Sequence, residues 1–268
     1  MSHPDRPTGD ETSRLSQSWL VALQTASNDL HRLVDGLSVK DLSRRSFADE
    51  WTVAQVLSHL GSGAEICAEL VRRGLAGEDK GPQRDQIVPI WERWNALGPA
   101  EQRDHWKRAD SAHLDLLAGI TVDQEGSLRV PYFAGPMNLT TYLGYRLSEH
   151  AVHGWDIAAA YDPSATVGHL DLVWGRIDMI ASRFHDDATR DRLASQQISL
   201  SHGDRQDRLD IADEVHIGHD SDPDAPSTVT ATTDVLTRLV YGRLREEDRL
   251  QITGPASRDD LTQLFPGF

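Results

Sequence analysis

The chain has 268 residues, 38% of them hydrophobic and 26% charged, with 42 acidic against 27 basic side chains and a formal charge of −15. That length suits one large or two ordinary domains, and the composition supplies buried cores rather than a disordered or fibrous chain. The negative charge repels phosphate backbones and anionic lipids, no apolar run reaches membrane-spanning length, and the polar opening lacks a secretory pattern, so nucleic acid and membranes are excluded as expected partners and the cytoplasm is the expected location.

Residues 1–10, rich in Pro, Gly and charge, read as a disordered lead-in. From 13 to 36, Leu15, Trp19, Leu23, Leu30 and Leu33 recur at helical intervals, and Gly36 is a stop. The next helix starts at Thr52, where Gln55 three residues on gives a capping-box spacing. Val53, Val56, Leu57 and Leu60 form its apolar stripe, with His59 beside that stripe rather than opposite it. Two turns later comes Cys67, the single cysteine, read as a buried structural thiol. One cysteine allows neither an internal disulfide nor a cysteine-based zinc cluster, so any metal site must use His, Asp or Glu.

After a Gly- and Pro-containing break at 74–82, a third helical stretch runs from 86 to 117, interrupted at Gly98-Pro99. Extended pieces within 127–136 lead to a fourth helix at 138–160, capped by Asn138. Trp51 and Trp155, which bracket the second and fourth helices, read as core aromatics. Turn residues at 161–168 mark a boundary, giving domains at 11–162 and 169–268. In the second, a helix at 169–187 precedes extended stretches at 197–202, 208–219 and 228–232. A helix at 234–244, a strand at 249–253 and a short helix at 257–264 complete a small α+β domain.

Glu149 and His153 lie four apart, so their side chains stand about 40° apart on one helix face and can converge on one atom. With His59 from a facing helix they form two imidazoles and one carboxylate, a ligand type that leaves coordination positions open. Spacing alone also allows a solvated helix-face pair and a hydrogen-bonded core histidine, and His150 with His153 is a competing pair among twelve histidines. The Glu-x-x-His motif that di-iron bundles carry on two helices is not present, which favours a mononuclear over a di-iron site, and the donor set suits zinc and iron alike. Asp156, three residues after His153, is placed to accept its other ring N–H, or is a helix-face carboxylate. Arg146, one turn before Glu149, is placed to orient that carboxylate, to bind an anionic substrate, or to form a plain ion pair.

Trp51-x7-His59-Leu60 together with Arg146-x2-Glu149-x3-His153-Gly154-Trp155-Asp156 resembles the mycothiol-dependent maleylpyruvate isomerase family, within the wider DinB-like superfamily of four-helix metal proteins. Leu239-Val-Tyr-Gly-Arg243 and Leu250-Gln-Ile-Thr-Gly254 resemble the ending of that family's second domain. The resemblance implies an N-terminal DinB-like four-helix bundle followed by a small C-terminal α+β domain. It also implies that His59, Glu149 and His153 ligate zinc, with iron or nickel as other divalent choices, and that the metal activates the thiol mycothiol as a thiolate. A small electrophile would then be isomerised or take the sulfur, with Arg243 as an arginine contributed by the second domain. A noncatalytic metal- or ligand-binding member, a thiol-independent metal hydrolase, and either a monomer or a homodimer stay open at this point.

Overall fold

A computed structural model describes residues 9–48, 50–133, 135–220 and 224–267. The chain forms two compact units, Met1–Ala165 and Thr166–Phe268.

Four long helices build the first unit: α1 (Gly9–Asp35), α3 (Val53–Leu75), α5 (Pro99–Ala118) and α7 (Leu139–Ala158). Between them lie the short α2 (Val39–Leu42), α4 (Arg84–Asn95) and α6 (Val122–Ser127), and a hairpin of β1 (Val130–Tyr132) with β2 (Gly135–Met137). Helix α3 packs on α5 and α1 on α7, with further contacts of α3 with α7 and α1 with α5. The starts of three of the long helices have a local cause. Thr52 and Gln55 satisfy each other's backbone amides at the head of α3, Gly98 precedes α5 with Pro99 in its first turn, and the Asn138 side chain accepts from Thr141 N–H at 2.8 Å. The apolar stripe anticipated on α3 is buried against Leu30, Val34, Trp94, Trp106 and Ile157. Gly61 admits the Trp94 ring, because a Cβ there would sit 2.3 Å from it. Helix α4 is thereby seated on α3, with Trp94 Nε1 donating to Glu65 at 2.9 Å.

The second unit carries a five-stranded sheet in the order β5-β4-β3-β6-β7. Its strands are β3 (Gln196–His202), β4 (Arg205–Ile211), β5 (Val215–Gly218), β6 (Ser227–Thr230) and β7 (Gln251–Thr253), antiparallel throughout except for the β3–β6 pair. Its helices are α8 (Leu170–Trp174), α9 (Ile177–Ala181), α10 (Asp187–Arg192), α11 (Thr233–Val240) and α12 (Arg258–Leu264). The single helix anticipated at 169–187 is instead α8 and α9. Gly175 closes the first, and Arg176, at φ −118° and ψ 6°, is not helical, yet Val173, Trp174, Ile177 and Ile180 are all buried. The stretch 208–219 divides likewise into β4 and β5 across a turn in which Ala212 N–H donates to Glu214 O at 3.0 Å. Helix α11 stops at Val240, short of the anticipated 244, and Gly242 follows at φ +68° with the Gly267 backbone 2.3 Å from where a Cβ would stand. Among the described residues, no helix is long and apolar enough to cross a membrane.

Candidate metal centre

The capped start of α3 fixes the turn that presents His59, and α7 presents Glu149 and His153 toward it. One ligand atom from each lies within 4.8 Å of the others. His59 Nε2 is 3.2 Å from Glu149 Oε2, His153 Nε2 is 3.8 Å from the same oxygen, and the two imidazoles meet edge to face at 4.9 Å between centroids. Behind His153, its Nδ1 donates to Asp156 Oδ2 at 2.9 Å. A carboxylate oxygen accepting from Nδ1 leaves Nε2 as the nitrogen that faces Glu149. Two imidazole nitrogens and a carboxylate oxygen converging in this way fit a divalent cation, and Asp156 fixes the ring as bound histidines require. Side-chain exposure grades from 39% at His59 through 26% at Glu149 and 10% at His153 to none at Asp156, so the set has a rim and a floor.

Burial pushes the Glu149 carboxyl up. The His59 hydrogen bond and the charges of His153, His59 and Arg146 outweigh it and hold the group well below the usual carboxylate range. Glu149 is therefore ionised, as a ligand must be.

Arg146 makes no ion pair with Glu149. Its buried guanidinium reaches across to α3, where Gly63 leaves room and Nη1 donates toward Cys67 Sγ at 3.9 Å, while Nε and Nη2 are buried without a hydrogen-bond partner. Cys67 is buried as anticipated. Burial raises its thiol pKa, partly offset by the Arg146 charge. Arg243 belongs to the second unit, where it is buried and its Nη1 donates to Tyr241 O at 2.9 Å.

Trp155 lies in the core, but Trp51 does not. The residue is 39% exposed and its indole stands beside both imidazoles, 5.2 Å from the His59 ring and 6.4 Å from that of His153. The reason is local. Trp51 precedes the cap of α3, so it follows no helical face, and its carbonyl accepts from both the backbone and the hydroxyl of Ser46 at 2.9 Å. Only its closeness to a predicted helix start hinted at this placement.

His150, the competing histidine, turns the other way. Its Nε2 is 2.7 Å from Asp110 Oδ1 and its Nδ1 is 2.9 Å from Arg146 O, while Asp110 also accepts from Ser27 and lies 3.4 Å from His31 Nε2. Sequence reasoning missed this cluster. A signal existed, since Asp110 falls on the same helical stripe as the buried Trp106, His113 and Leu117.

The chain matches the family model described as the mycothiol maleylpyruvate isomerase N-terminal domain over residues 23–158, a segment containing Trp51, His59, Glu149, His153 and Asp156. No curated protein matches it in sequence. Among solved structures it is similar to a mycothiol-dependent maleylpyruvate isomerase, with TM-score 0.69 and 16% identity over 90% of this chain and 95% of the other. It is also similar to a histidine-to-alanine mutant of a mycothiol-dependent maleylpyruvate isomerase, with TM-score 0.70 and 15% identity at the same coverage. At such identities these likenesses show the two-part fold, a helical bundle followed by a sheet domain.

Proposed function

This chain belongs to the mycothiol maleylpyruvate isomerase N-terminal domain family, and on that premise we propose that it is an enzyme in which His59, Glu149 and His153 hold one zinc ion and mycothiol is the cosubstrate. The observation that carries this reading is the convergence of three donor atoms within 4.8 Å, with Asp156 buried behind one of them. A divalent metal bound there would supply what a free thiol lacks at neutral pH, namely loss of its proton.

The chain's own residues do the rest. Asp156 holds the His153 ring in one tautomer, and Glu149 stays ionised. Arg146 adds a fixed positive charge that Glu149 does not neutralise by direct pairing, and it favours anionic charge in the site. His59, at the rim, leaves the centre open to a small molecule. A thiolate sulfur that adds to one carbon of an activated double bond, permits rotation and then leaves from that carbon regenerates the thiol and gives cis–trans isomerisation. A sulfur that displaces a leaving group and stays gives S-transfer. Arg243 is the second unit's candidate catalytic residue, tested by the kinetics of Arg243→Ala.

Elemental analysis of chelator-free protein tests the reading. About one zinc per chain is expected, lost in His59→Ala and Glu149→Ala, with an electrophile consumed only when the thiol is supplied. Wild-type protein that takes up no metal when zinc is offered overturns the proposal. Turnover without thiol would point to hydrolysis by bound water instead, and metal without turnover to a binding protein.

A further inference from the structure

Trp51 takes no part in the chemistry proposed for the metal centre, and its placement is unusual. Trp19, Trp94, Trp106, Trp155 and Trp174 are buried. Trp91 is also exposed, at 41%, so exposure alone decides nothing. Location does. The Trp51 ring is tilted by 44° against His59 and lies within 28° of parallel to His153, so one aromatic surface overhangs both imidazoles of the candidate centre.

The backbone holds it there. Ser46 donates twice to the Trp51 carbonyl, Trp51 N–H donates to Ala48 O at 3.2 Å, and Val53 N–H donates to Arg44 O at 2.9 Å on the far side of the Arg45–Thr52 bridge. A frayed loop would let the indole fold onto apolar surface, where burial stabilises it. This clamp keeps it half in water beside the most exposed ligand, His59. Aromatic faces attract flat π systems in offset or tilted stacks with centroids about 4.5–7 Å apart.

We propose that Trp51 is a specificity-determining wall of the site, its exposed indole face stacking on the planar, conjugated part of the electrophile while the reacting carbon meets the sulfur. This rests on the thiol- and metal-dependent reading. It predicts selection between electrophiles by shape. A flat arene gains the stack, whereas a small unconjugated alkylating agent does not.

The test compares wild type, Trp51→Phe and Trp51→Ala with zinc and the thiol, using a chlorodinitrobenzene as the flat electrophile and iodoacetamide as the unconjugated one. In Trp51→Ala the KM for the arene is expected to rise roughly fivefold, within the range open to one aromatic stack. The KM values for iodoacetamide and for the thiol should hold, and Trp51→Phe should recover most of the loss. Calorimetric titration with nitrobenzene, which has no leaving group, reads the same contact without turnover and should weaken by a similar factor.

Unchanged arene KM and nitrobenzene affinity in a metal-loaded Trp51→Ala overturn the proposal. A rise confined to the thiol's KM does so too, since the indole would then carry the cosubstrate. Loss of zinc from Trp51→Ala would reduce the ring to a cover over the histidines and overturn it as well. Wild-type protein that binds no zinc sinks the functional reading itself, and this proposal with it, which separates the two failures.

Discussion

His150 and His153 sit three residues apart on α7 and end in opposite situations. His150 is closed in, with one nitrogen against Asp110 and the other against a backbone carbonyl, so neither is free for a ligand. His153 spends one nitrogen on Asp156 and turns the other toward Glu149 and His59. Both are histidine–carboxylate pairs with a buried acid, and composition cannot separate them. The difference lies in what faces the second nitrogen. An acceptor already in place makes a knot between helices, whereas further lone pairs that need a cation make a site.

The largest expected effect breaks the knot. Asp110→Ala leaves a buried imidazole and hydroxyl unpaired and should cost about 3–5 kcal/mol of stability, read by denaturant unfolding, while zinc per folded chain is unchanged. The same carboxylate should shape the acid limb. Burial pushes its pKa up, but His150, His31 and Ser27 pull it far below the ordinary value. The folded state therefore binds that proton more weakly than the unfolded chain. Its stabilisation is complete above the unfolded value of about 4 and is lost as pH falls through and below it. Wild type should lose stability steeply below that pH and Asp110→Ala less steeply, as measured by unfolding at stepped pH.

The smaller effect loosens the site without breaking the bundle. Asp156→Asn removes the carboxylate that orients His153 and should weaken zinc binding roughly 10–100-fold, read by competition with a chromogenic chelator. An equal loss in Asp110→Ala would erase the distinction drawn between the two clusters.

Much of this was legible in the sequence because it is local. The Thr52–Gln55 box, the Asn138 cap and the four-residue spacing of Glu149 and His153 are each decided within one helical turn. Of the unread features, two depend on segments distant in the chain and two on local turns of the backbone. The Asp110 cluster draws on α1, α5 and α7 at once, so its stripe position was visible but its partners were not. Trp51 reads as a core aromatic because large aromatics usually go there, and only the Ser46 clamp places it at the rim. Helix 169–187 carried the correct apolar positions, but Gly175 broke its course. Arg146, one turn before Glu149, reads as its orienting or ion-pair partner or as an anion-binding group, yet Gly63 on the facing helix gives the long side chain room to reach across the bundle.

The graded exposure from His59 down to Asp156 also bears on exchange kinetics. A metal held there would have one ligand within reach of solvent and two anchored progressively deeper, so a chelator would begin at His59 and leave the anchored pair until last. The α1, α5 and α7 contacts around Asp110 involve no metal, so the stripped chain should remain folded and ready to reload, unlike a zinc finger, which unfolds when its ion is removed. Which ion fills such a position is then set by the surrounding supply and the order of exchange rather than by the act of folding.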